Sequence, residues 1–176
     1  SNVPLLLTLM SLCPIADIDF EIALKSVRYY LLRSISEGYD NSDLLQFQSA
    51  LALQCFSNEY IYSQTDDEVG RVNTLERLVK KTLQNDQQPR PDVVLILSSY
   101  KALNYYGWYN LLTITDEIRD VFTCQVDEPK QEVELRSTLR MLDKITNRVS
   151  AIVRDQYEEK PYPRWIELGS PSKPES

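Results

Sequence analysis

Asp92-Val93-Val94-Leu95-Ile96-Leu97-Ser98-Ser99-Tyr100-Lys101-Ala102-Leu103 is the stretch on which the fold class turns. Val93, Val94 and Ile96 are β-branched and suit a strand. Asp92 can cap a helix start, and Ile96, Tyr100 and Leu103 recur at helical spacing. The rest of the chain breaks the tie. It offers no second run of comparable strand character, and a lone strand is unstable. The stretch therefore reads as a buried helix and the chain as all-α. The expected architecture is an irregular bundle or array of about seven or eight helices with an extended Pro-rich C-terminal strap.

Upstream, Asp66, Asp67 and Glu68 sit where a helix start favours negative charge, and Val72, Leu75, Val79 and Leu83 continue that helix. Gln84 to Arg90 is a loop. Leu44, Phe47, Leu51 and Cys55 form the stripe of an earlier helix starting at Ser42 or Asp43, and Ala50, Ala52, Leu53 and Phe56 widen it. A helix apolar on most sides is central in its bundle. Before it, a helix capped by Asp17 or Asp19 buries Phe20, Leu24, Val27, Leu31 and Ile35, with Lys25, Arg28 and Arg33 on other faces and Gly38 as a left-handed terminator. Leu5 to Leu12 forms a separate short helix packed by its leucines.

Downstream, Tyr105, Tyr106, Trp108 and Tyr109 surround Gly107 in an aromatic loop, read as a protein-facing patch or a filled core corner. Ile114, Ile118, Val121 and Phe122 mark another helix. Pro129 suits the first turn of a further one, followed at helical spacing by either Val133, Arg136 and Leu139 or Leu135, Leu139 and Leu142. Val149, Ile152, Val153 and Tyr157 mark the last helix, which stops before Pro161. Residues 1–160 form the helical domain, and 161–176, with four prolines, the strap.

Composition narrows the chemistry. The 176 residues contain no histidine, which removes Ser-His and Cys-His catalysis and histidine metal sites. The four glycines are too scattered for a phosphate loop. The three cysteines, Cys13, Cys55 and Cys124, lack zinc spacing and read as thiols of a cytoplasmic protein, with Cys55 buried. A net charge of −7 disfavours nucleic acid and anionic membranes, and no apolar run reaches the ~20 residues of a membrane span. No metal or cofactor is expected on this chain. Ser1, without an initiator methionine or basic leader, reads as the edge of a piece cut from a longer protein.

Two groups of residues stand out. Gln54, Asn58, Glu59 and Tyr60 lie where the central apolar helix meets a polar stretch, and form either an interhelical pocket or a hydrogen-bonded pin between helices. Tyr157, Glu158, Pro161, Tyr162, Pro163, Arg164 and Trp165 join a final helical turn to a Pro-Tyr-Pro segment with aromatic anchors, suited to an interdomain or partner contact.

The segment Val153-Arg154-x-Gln156-Tyr157-Glu158-Glu159-x-Pro161-Tyr162-Pro163-Arg164-Trp165 resembles a signature of bacterial fusion proteins that join tetratricopeptide repeats to a class I S-adenosylmethionine-dependent methyltransferase domain. Leu12-Cys13-Pro14-Ile15-x-Asp17-x-Asp19-x-Glu21 and Ala52-x-Gln54-Cys55-Phe56-x-Asn58-Glu59-Tyr60 fit the same helical region in the same order. Lys160 departs from the family's Asn. The resemblance implies a non-catalytic accessory domain that positions the methyltransferase or helps to select its substrate. S-adenosylmethionine would bind only the catalytic domain, which lies outside this sequence. The implied partners are the adjacent methyltransferase and repeat domains and a protein substrate. Two other readings of the residues stay open. One is a small-molecule-binding or enzymatic domain with a pocket near Glu59 and Tyr60; the other is a self-association module using Tyr162 and Trp165.

Overall fold

The computed structural model describes residues 3–138, which contain helices and turns and no strand. Seven α-helices run in order: α1 (Val3–Leu12), α2 (Ile18–Ser36), α3 (Leu45–Ser57), α4 (Asp66–Gln84), α5 (Pro91–Ser98), α6 (Asp116–Phe122) and α7 (Glu128–Thr138). A π turn, Thr123–Asp127, joins α6 to α7. Short 3-10 turns at Ser42–Leu44, Leu103–Tyr105 and Tyr109–Leu111 complete the set. Residues up to Lys130 form one compact unit, and the chain from Gln131 belongs to a second. The expected last helix, the boundary at 160/161 and the strap lie outside the described residues.

The deciding stretch is a helix and the hub of the first unit. α5 packs against α2, α3, α4 and α6, and every residue from Asp92 to Tyr100 is buried. An element covered on all sides has no polar face to show, which is why its sequence is a continuous apolar run. Its start differs from the expected cap. Pro91 occupies the first helical turn and Arg90, extended at φ −62° and ψ 143°, is the N-cap. The Asp92 carboxylate instead pairs with Arg90 at 2.7 Å and accepts from the Asn41 N–H at 3.3 Å, fixing the α2–α3 connection.

Local signals set the other helix ends. Asp17 caps α2 through a 2.8 Å bond from the Phe20 N–H. Gly38, at φ +91°, ends it in a left-handed turn, with the Gly38 N–H on Ile35 O and the Tyr39 N–H on Ser34 O. Thr65 opens α4 with a reciprocal box: Glu68 N–H donates to the Thr65 hydroxyl, and Thr65 N–H to the Glu68 carboxylate at 2.7 Å.

Three expectations are corrected. Arg28, placed on an outer face of α2, is fully buried; the buried stripe is Leu24, Arg28, Leu31, Leu32 and Ile35, and Val27 is exposed. Leu44 is exposed, because the chain enters α3 through a 3-10 turn. Asp66, Asp67 and Glu68 lie in the first turn of α4, as expected, and the box with Thr65 turns Glu68 inward to 1% exposure. Pro129 falls in the first turn of α7, as expected, and helical dihedrals lead into it from α6 without a break, at Phe122, Thr123 and Glu128. A proline in mid-helix lacks an N–H and crowds the carbonyl four residues back. The π turn just before Pro129, closed by the Glu128 N–H on Thr123 O, widens the helix there.

Candidate functional site

The two polar centres of the first unit are built on the inward faces of α2 to α5. At one, the Arg28 guanidinium lies over the Tyr100 ring at 4.2 Å and the Tyr62 ring at 5.5 Å. Nη1 donates to Ser99 O at 3.4 Å, and Nη2 lies 3.5 Å from Glu68 Oε1. That separation makes an ion pair without a well-formed hydrogen bond. The Tyr100 hydroxyl donates to the same carboxylate oxygen at 2.9 Å. Burial pushes the Glu68 pKa up, but the Thr65 N–H, the Tyr100 and Thr65 hydroxyls and the Arg28 charge together hold it below the usual value. Burial drives the Tyr100 hydroxyl the other way, far above its usual range, against the pull of Arg28. The result is an ionised pair sealed by two neutral phenols.

The second centre is the α3 end that the sequence marks. Gln54 is fully buried; with its amide turned so that the oxygen meets the donor and the nitrogen the acceptors, the nitrogen donates to Met10 O and Cys13 O at 3.0 Å each and the oxygen accepts from the Ile15 N–H at 2.8 Å. Three bonds thus tie the end of α1 and its following loop to α3. Asn58 donates to the Tyr62 hydroxyl at 3.1 Å. Glu59 and Tyr60 take left-handed backbone at φ 55° and 57°, sparsely populated for residues with a Cβ. The Tyr60 hydroxyl donates to Ser98 O at 3.1 Å, and its ring meets Phe56 edge-on at 6.3 Å. Tyr60→Phe is expected to lower unfolding free energy by only about 0.5–1 kcal/mol in urea titration. The loss is small because Ser98 O keeps a second donor, Gln125 Nε2, at 3.2 Å.

Gln125 was not marked by the sequence. From the π turn it also donates to Ala52 O at 3.3 Å and accepts from the Leu103 N–H at 3.0 Å, joining α3, α5 and the aromatic loop. In that loop Tyr106 and Trp108 are buried and stacked, centroids 4.8 Å apart, while Tyr105 is exposed. The loop thus fills a corner of the core.

The acidic trio does not converge. Asp67 pairs with Arg71 at 2.7 Å on the surface, Glu68 faces Arg28, and Asp66 is exposed. Among the described residues no group of three or more Cys, Asp or Glu is placed to hold a metal ion. None of the three thiols is in a disulfide. Burial pushes Cys55 up to about 11, with Arg28 opposing. A thiol reagent at pH 8 should therefore leave Cys55 unmodified in the native chain and reach it only after denaturation; equal reaction rates at Cys13 and Cys55 would contradict this.

Gln54, Asn58, Glu59 and Tyr60 line neither of two concavities on the surface of the described residues. The larger, about 620 Å³, is a groove floored by α3, with α1 and α6 as its walls. The smaller, about 250 Å³, lies between the Pro89–Pro91 loop and the start of α6. The strap residues Tyr157, Glu158, Pro161, Tyr162, Pro163, Arg164 and Trp165 lie outside the described residues. A scan against protein-family models, a search of curated proteins and a search of solved structures each gave no match.

Proposed function

We propose that this chain is a non-catalytic helical module that holds and positions other parts of a larger S-adenosylmethionine-dependent methyltransferase. One observation carries the reading: the buried groups that could do chemistry are engaged in tying helices together. Arg28 and Glu68 couple α2 to α4, Gln54 holds α1 on α3, and Tyr60 reaches α5. A substrate could touch Arg28 or Glu68, whose side chains are 0% and 2% exposed, only after the core had opened. Such a block transmits position because its helices cannot shift independently. The resemblance of the C-terminal signature to the methyltransferase fusions supplies the identity of what is positioned.

The test compares the parent protein with a form lacking residues 1–160. Removal is expected to raise KM for the methyl acceptor about tenfold or more while leaving S-adenosylmethionine affinity within about twofold. Unchanged kinetics, or micromolar S-adenosylmethionine binding by the 176-residue chain itself, would overturn the proposal.

A further inference from the structure

The groove over α3 has two unlike walls. On the α1 side Pro4, Leu7 and Leu12 line it together with Thr8 and Ser11, whose hydroxyls donate to Pro4 O and Leu7 O of their own helix, above a floor of Leu45, Gln46, Ser49 and Ala50. On the α6 side it presents Asp116, Glu117 and Asp120, and no Lys or Arg lines it. One of the three carboxylates is neutralised locally: Asp116 pairs with Arg119 at 2.7 Å, both exposed. The start of α6 accounts for acid at Asp116 and Glu117 through the helix dipole. It does not account for the leucines opposite.

The apolar surface also continues out of the groove. Leu5, Leu9 and Leu12 follow one another at helical spacing along α1 and are 71%, 45% and 47% exposed. An exposed leucine stripe beside a partly apolar groove is a costly surface to leave in water. Its length, ten residues or about 15 Å, exceeds a small ligand and matches the i, i+4, i+7 anchors of a helix.

We propose that this groove docks an amphipathic helix of a partner protein whose apolar stripe lies along α1 and α3 and whose flanking Lys or Arg residues face Asp116, Glu117 and Asp120. The leucines of α1 and α3 supply affinity, and the acidic wall sets the sign of the flank and the direction of approach. The proposal does not depend on the methyltransferase reading, since it concerns binding to this chain alone.

The test uses a dye-labelled peptide of about 18 residues, built from Leu at i, i+3, i+4 and i+7 positions and Lys elsewhere, read by fluorescence anisotropy. Two companions are a permuted peptide of the same composition and one with Glu in place of Lys. The basic amphipathic peptide should bind at least about tenfold more tightly than either. Glu117→Lys with Asp120→Lys should weaken it about tenfold, as should Leu12→Ser; these positions are exposed, and circular dichroism checks that the fold survives. Asp40→Lys with Asp66→Lys, an equal charge change away from the groove, should leave it within about twofold. Equal weakening by both pairs would reduce the effect to net charge and overturn the proposal. So would absence of binding, or equal binding of the permuted peptide. A dimer in sedimentation that the Glu117/Asp120 pair dissolves would make a second copy the occupant and overturn it as well.

Discussion

Glu68→Ala is expected to cost the domain about 3–5 kcal/mol, a large share of the 5–15 kcal/mol typical of a whole domain. The loss comes from what remains. Arg28 stays fully buried between two tyrosine rings with its counter-charge gone, and the Tyr100 hydroxyl and Thr65 N–H lose their acceptor. Replacing both charges, Arg28→Met with Glu68→Gln, should cost clearly less than Glu68→Ala alone, because no unpaired ion is left inside. Urea titration of the three proteins decides it; a double variant as unstable as the single one would show that the pair's charges are not what matters. The same carboxylate sets an acid limb. Its pKa is depressed on folding, so its stabilisation is fully present above the ordinary value of 4.5 and is lost as pH falls through the lower, folded value. Glu68→Gln should flatten stability against pH in that window. Asp67 is depressed as well, first by its bond from Arg71, but it is exposed and adds little.

Gln54→Leu should be the second severe change, at about 3 kcal/mol, from three lost bonds at about 1 kcal/mol each. Leucine fills most of the volume but leaves Met10 O, Cys13 O and the Ile15 N–H without a partner. The effect should concentrate on α1. Hydrogen exchange should accelerate at the α1 amides before those of α5, where every residue from Asp92 onward is buried. Uniform acceleration across α1 and α5 would mean that α1 is not a separable element. Because α1 forms one wall of the groove, the same variant should also lose the peptide binding described above.

What could be read in advance follows the range of the interactions. The all-α class, the helical state of Val93 to Leu97 and the ends at Asp17 and Gly38 depend on neighbours a few residues apart, and a sequence displays those directly. Gln54 was visible as a polar residue inside an apolar run, although its partners, the carbonyls of Met10 and Cys13, carry no sequence signal. Arg28 was misplaced because a charge was assigned to the outside. A signal was present: it lies four residues after Leu24 and four before Leu32, in the middle of the buried stripe. Its acceptability inside depends on Tyr62, Glu68 and Tyr100, which are distant in sequence and meet only through the packing of α2, α4 and α5. Gln125 escaped for the same reason, since a π turn with a buried amide follows no helical period.

The left-handed pair at Glu59 and Tyr60 has a consequence for the order of folding. Each such residue with a Cβ costs about 1–2 kcal/mol, so at most about one unfolded chain in thirty holds both together. Local bonds offset part of that cost, the Tyr60 N–H on Cys55 O at 2.9 Å and the Glu59 N–H on Phe56 O at 3.0 Å, and α5 adds Ser98 O for the Tyr60 hydroxyl across 38 residues of chain. The bond that α5 adds can form only once α3 and α5 have met, and is expected on the native side of the folding barrier. Interactions formed there govern how slowly the domain comes apart and leave the rate at which it assembles almost untouched.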